Sequence, residues 1–183
     1  MQLTRLYSDC FADSRTLLRA IGAAHFLKQL GLSVLLVMGF FVANTAHANP
    51  ICTVIAIGPN AIYDPLGASH VDAVGNIEVR CTYVGLGVAT PAYQIQLSAG
   101  SSNSYNNRTM RFLGNVLIYN LFVNASRSLV WGDGTGGTSR VSDSFSMGVG
   151  TTSRNYPIYM RVAAAQMVNA GTYADAITVT VNY

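Results

Sequence analysis

The chain is short of charge. Asp, Glu, Lys and Arg together make up 10% of its 183 residues, and histidine occurs only three times. Beyond residue 48 the shortage sharpens to seven arginines, no lysine, six acids and the single histidine His70. One net positive charge with no basic cluster leaves nucleic-acid binding through phosphate contacts without a footprint. A lone histidine is little from which to build a general acid or base, so catalysis is disfavoured. After residue 48 the chain also lacks an apolar run long enough to cross a bilayer, an internal repeat and a helical period.

Residues 1–48 read as a targeting segment. Arg5, Arg15, Arg19 and Lys28 form a basic n-region, residues 30–42 are apolar but too short to span comfortably, and Ala46-His-Ala48 has the small-x-small pattern of a signal peptidase site. Cleavage before Asn49 leaves 135 residues, the size of one domain. Cys10 departs with the leader. Cys52 and Cys81 remain, an even pair in an exported protein, most simply a disulfide rather than two free thiols. Closing a loop of that length stabilises by roughly 3 to 4 kcal/mol on the chain-entropy model.

What is present is strand and turn. Ile77, Val79, Cys81 and Tyr83 alternate with Glu78, Arg80 and Thr82, and Tyr93, Ile95 and Leu97 alternate with polar residues, the period of a half-buried strand. Cys81 shares the parity of the apolar set, so its sulfur points inward toward residues 52–57. Residues 116–123 are nearly all apolar, which predicts a strand covered on both faces rather than a short buried helix. Ile158, Met160 and Val162 alternate again, and helical flavour is confined to residues 163–168. Ser/Asn-rich residues 100–107 and Gly132-Asp-Gly-Thr-Gly-Gly137 read as surface turns. Turn signals about every ten residues between short strands indicate an all-β, immunoglobulin-like antiparallel β-sandwich.

Gly75-Asn-Ile-Glu-Val-Arg-Cys81, Arg108-Thr-Met110, Leu117-Ile-Tyr-Asn-Leu-Phe122, Trp131-Gly-Asp-Gly134, Pro157-Ile-Tyr159 and Gly171-Thr-Tyr-Ala-Asp175, in that order after Cys52, resemble the spore coat protein U domain. The resemblance covers residues 49–183 and extends to the subunits of archaic, Csu-type chaperone-usher pili. It implies a sandwich lacking its final strand, exported through the periplasm to the surface of a Gram-negative cell as part of a fimbrium. It also implies three partners: a periplasmic chaperone, an outer-membrane usher and neighbouring pilin subunits. In such subunits a strand from the chaperone, and later from a neighbour, fills the groove beside the last strand.

Residues 177–183 fit that scheme. They alternate without a break, with Ile177, Val179, Val181 and Tyr183 on one face and Thr178, Thr180 and Asn182 on the other. The resemblance makes the apolar four the groove lining and offers the terminal carboxylate to a basic residue of the chaperone; an ordinary internal strand is the alternative. Asn49, Pro50 and Ile51 are too few to serve as a donor strand of roughly ten residues, so the subunit is expected to accept a strand at or near a fibre tip without giving one. Two other roles stay open: a single-domain tip adhesin that grips a surface or glycan through Trp131 and tyrosines, and a non-fimbrial coat protein.

Other chemistry is set aside. His70 sits among turn residues as a solvated side chain. The Gly132–Gly137 loop lacks a phosphate-loop ending, and Asp133 alone falls short of the oxygens calcium needs. No metal and no cofactor is expected. Two glycosylation sequons, at Asn107 and Asn124, are read as coincidence.

Overall fold

A computed structural model describes residues 49–183. Eight strands form: β1 (Ile51–Ile57), β2 (Val71–Tyr83), β3 (Ala92–Leu97), β4 (Arg108–Phe112), β5 (Asn115–Phe122), β6 (Val141–Ser144), β7 (Gly150–Val162) and β8 (Val179–Asn182). They make two antiparallel sheets, β1-β2-β7-β5-β4 and β6-β3-β8. This is the all-β antiparallel sandwich read from the alternation. One 3-10 turn, Gly100–Ser102, joins β3 to the loop before β4. Among the described residues no helix is long and apolar enough to cross a membrane.

The core lies where the period-2 residues of both sheets meet. Ile77, Val79 and Cys81 of β2, Tyr93, Ile95 and Leu97 of β3, and Ile158, Met160 and Val162 of β7 are all buried. β3 is tied to the larger sheet at both ends. Its start meets β7, where the Tyr93 and Tyr156 hydroxyls are 2.6 Å apart, and just past its end the Ser98 carbonyl accepts from Arg108 of β4. Trp131 closes the seam between sheets. Its backbone N–H donates to Leu121 of β5 (2.8 Å), its indole N–H donates to Ile95 of β3 (3.1 Å), and the next carbonyl, Gly132, accepts from Leu97.

Three sequence expectations need correction. Residues 115–122 form β5, but one face meets solvent, with Val116 37% and Ile118 41% exposed; apolarity there does not mean burial on both sides. Residues 163–168 form no helix. Gln166 instead uses its side-chain amide as a strand would use its backbone, accepting from Ile118 N–H (2.6 Å) and donating to Ile118 C=O (2.9 Å). Trp131 is fully buried and cannot stack on a sugar.

Among the described residues β1 is held on one side only, by β2. At its far end the chain folds tightly over β2, and a Cβ on Gly75 would lie 2.5 Å from the Ile57 carbonyl oxygen and 2.6 Å from Pro59 N. Glycine is required there for close approach.

Candidate functional site: the edge of β8

The entry to β8 is fixed by buried polar groups. Asp175, 6% exposed, accepts through Oδ1 from the Ser101 and Ala176 N–H groups (both 2.9 Å) and through Oδ2 from the Tyr119 hydroxyl (2.7 Å). Gly100, at φ +71°, leaves room for that carboxylate, because a Cβ would collide with Asp175 Oδ2. Burial, reinforced by the Asp175 charge, pushes the Tyr119 hydroxyl above its ordinary range, so it stays protonated and donates. Arg108, wholly buried, donates to Ser98 O (2.8 and 3.1 Å), Asn120 Oδ1 (2.8 Å) and Trp131 O (2.6 Å), and burial pulls its pKa down. Ser98 then joins this network to the terminal strand. Its N–H donates to Thr178 O (3.0 Å) and its Oγ accepts from Thr178 N–H (2.9 Å).

That Ser98–Thr178 pair sets which backbone groups face outward. In an antiparallel ladder hydrogen-bonded residues alternate, so Thr180 and Asn182 also bond to β3, opposite Gln96 and Gln94. The N–H and C=O of Val179 and Val181 therefore point away from β3. Among the described residues β8 pairs with β3 alone, so its other side is an open sheet edge.

The four residues assigned to the groove are not alike. Ile177 is 9% and Val179 6% exposed, already within the core; Val181 is half-buried; Tyr183 is 59% exposed and packs edge-on against Tyr93 at 6.1 Å. Thr178, Thr180 and Asn182 face solvent, as the alternation requires. The regular strand is also shorter than residues 177–183, because Ile177 and Thr178 precede the ladder and Tyr183 follows it. The part of the edge open to a partner is thus its second half, around Val181.

A sequence model of the Spore Coat Protein U domain matches residues 39–180. The chain belongs to that family. Among solved structures it is similar to the CsuC–CsuE chaperone–tip adhesion subunit pre-assembly complex from the archaic chaperone-usher Csu pili of Acinetobacter baumannii. The identity is 26% and the TM-score 0.47; the match covers 73% of this chain and 40% of that one. No curated protein matches.

In this spore coat protein U domain, Cys52 and Cys81 face each other in the β1–β2 register and are bonded. Asn49 is exposed just before β1, while Ala46 and Ala48 lie outside the described residues, as does the whole expected leader. His70 is solvated, 3.6 Å from Asp72. Asp133 is occupied in its own turn, accepting from Thr135 N–H (2.9 Å) and Thr135 hydroxyl (2.7 Å), and no cluster of metal-ligating side chains occurs among the described residues. Sequence reasoning assigned no role to Arg108 or Asp175. Both carried a signal, since Arg108 shares strand parity with the core residue Met110, and Asp175 shares it with Ile177 and Val179.

Proposed function

We propose that this protein is an exported structural subunit of a bacterial surface fibre of the archaic chaperone-usher type, and that it accepts a strand along β8. The observation that carries this reading is the open edge itself. Two valines turn their backbone groups outward while their side chains point between the sheets, so an added strand gains main-chain hydrogen bonds and can insert alternate apolar residues into the same core. A periplasmic chaperone supplies that strand first, and a neighbouring subunit replaces it at the usher. β1 is a poor donor, because residues 51–57 are all committed to β2 and tied there by the disulfide. The subunit's work is then assembly, as an acceptor at or near the tip, with a leader ending before Asn49.

Co-expression with and without the cognate periplasmic chaperone tests this. The subunit is expected to be degraded or to aggregate alone and to form a soluble one-to-one complex with its chaperone. Equal soluble yield of the subunit in the cell with and without the chaperone would oppose it. N-terminal sequencing that found ten or more residues ahead of Cys52 would remove the acceptor-only assignment.

One observation favours adhesion as a second task. Val84 (79% exposed), Leu86 (98%), Val88 (70%) and Val149 (70%) sit on two loops at one end of the sandwich, brought together by the Tyr83–Gly150 pair and the Ala89–Met147 bridge. Four apolar tips in glycine-rich loops suit contact with a hydrophobic surface. Replacing Leu86 and Val149 with serine is expected to reduce attachment to polystyrene without altering chaperone capture. Unchanged attachment would leave the subunit with assembly alone.

A further inference from the structure

Pro157 lies within β7, a strand flanked in the sheet order by β2 and β5, where proline is disfavoured because it has no N–H to give to a ladder. The register accounts for it. β2 accompanies β7 over the whole of Gly150–Val162, but β5 meets it only over Tyr159–Val162. Among the described residues, positions 151–157 of β7 therefore have a neighbouring strand on one side and an open sheet edge on the other.

One hydrogen bond fixes which backbone groups face that edge, and a second agrees with it. Ala163 N–H donates to Ile118 C=O (3.3 Å), one step beyond the paired Tyr119 and Val162. Alternation from that bond turns Leu121 away from β7, in keeping with its carbonyl accepting from Trp131 N–H (2.8 Å). The same alternation turns the even-numbered residues of β7 toward β2 and the odd-numbered ones away from it. The N–H and C=O of Thr151, Ser153 and Asn155 thus point out of the sheet edge, and Pro157 stands where its missing N–H costs no ladder bond. The side chains of those three polar residues are committed to β2, through the Thr82 hydroxyl (2.9 Å), the Arg80 guanidinium (3.4 Å) and the Asn76 amide (2.8 Å). What the edge offers a partner is its main chain.

We propose that this edge pairs with the same edge of a second copy of the chain, antiparallel, about a two-fold axis at Ser153. In that register Ser153 meets its counterpart and Thr151 meets Asn155, so every N–H and C=O that these residues turn outward finds a partner in both copies. Arg154, the one charge between Gly150 and Pro157, then stands opposite Thr152 of the second copy, and its guanidinium lies over the Phe145 ring of its own chain at 4.9 Å. Other registers fail. An axis at Arg154 opposes the two arginines, an axis at Asn155 sets Ser153 against the proline, and an axis nearer Gly150, at φ +125°, runs the ladder past the end of the strand. A foreign strand would have to stop where Gly150 and Pro157 stop, whereas a second copy does so by identity. The inference does not rest on the strand-accepting role, because β8 belongs to the other sheet.

Sedimentation velocity on the exported full-length subunit, bound to its chaperone where solubility requires it, counts subunits per particle. A ladder this short buries little surface, so association is weak, and the count should double as concentration rises through the micromolar range to about 0.1 mM. Ser153→Pro removes the donor on the axis and should abolish the doubling while thermal unfolding stays unchanged, since that N–H points away from β2. Thr152 supplies a second test that leaves the main chain intact. Thr152→Glu places a carboxylate opposite Arg154 of the second copy, twice per dimer, and should tighten association severalfold, whereas Thr152→Arg should weaken it severalfold. One subunit per particle over the whole range, doubling that survives in a folded Ser153→Pro variant, or association that the two Thr152 variants move in the same direction would overturn the proposal.

Discussion

Removing the disulfide by Cys52→Ala/Cys81→Ala is a stringent test of how the domain is held, because among the described residues β1 pairs with β2 alone. Cys81 is fully buried and Cys52 half-buried, and the two lie 29 residues apart in sequence. The chain-entropy model gives roughly 3 to 4 kcal/mol for a loop of that length. Taking about 2.1 cal/mol/K of unfolding entropy per residue over the described domain, the midpoint should fall by roughly 10 to 14 °C. Trp131 is the reporter of choice, being the single tryptophan, fully buried and bonded to both sheets. Its fluorescence should follow the global transition, with amide exchange of β1 measured in parallel. A Trp131 midpoint that moves by less than about 3 °C while β1 amides lose protection would refute the reasoning. It would mean that β1 opens as a separate local unit and that the disulfide secures an edge rather than the fold.

Further consequences follow from the same contacts. Asp175→Ala strands the Tyr119 hydroxyl and the Ser101 N–H without their acceptor, and the urea midpoint should reflect a loss of about 3 to 5 kcal/mol. Gln166→Ala removes the side-chain clamp on Ile118 and should cost about 1 to 2 kcal/mol by the same measurement. In the chaperone co-expression assay Val181→Asp should block complex formation with a native-like circular dichroism spectrum, Thr180→Asp should permit it, and Val179→Asp should unfold the subunit outright, since Val179 is core rather than groove. Asp72 is held below its ordinary carboxylate value, first by the Arg161 hydrogen bond, opposed by partial burial. A folded pKa below the unfolded one gives stability that is present above the unfolded value, about pH 4, and is lost as pH falls through the folded one. Arg161→Gln should therefore flatten the stability–pH slope below about pH 4.

The strands were legible because burial on one face writes itself into the sequence with a period of two. Cys81, Ile95 and Met160 each announced an inward direction, and Cys52 and Cys81 fell opposite each other in register. β5 was misjudged for a physical reason. Val116 and Ile118 are apolar on a solvent-facing side, and composition alone cannot separate an exposed apolar residue from a buried one. The apparent helix at residues 163–168 failed because long-range contacts of Gln166, to the Ile118 backbone and to the Tyr63 hydroxyl, outweigh weak local propensity. The least legible part of the site was its support. Arg108, Ser98, Tyr119 and Asp175 come from four separate stretches of chain, and periodicity carries no information about which distant polar groups will meet. Alternation did identify a strand within residues 177–183, and the resemblance made Ile177, Val179, Val181 and Tyr183 its groove lining; of these, Ile177 and Val179 are enclosed by the protein's own core, Val181 is half-buried and Tyr183 is exposed.

The central claim is that the outer edge of β8 is vacant in the isolated subunit and filled by a partner's strand. Amide hydrogen exchange at Val179 and Val181, measured on the subunit released from its chaperone and again in the complex, tests it directly. Rapid exchange at both amides when the subunit is alone, with protection in the complex while Thr180 and Asn182 stay protected throughout, is the predicted result. Slow exchange at Val179 and Val181 in the free subunit, or no gain of protection on chaperone binding, would contradict it.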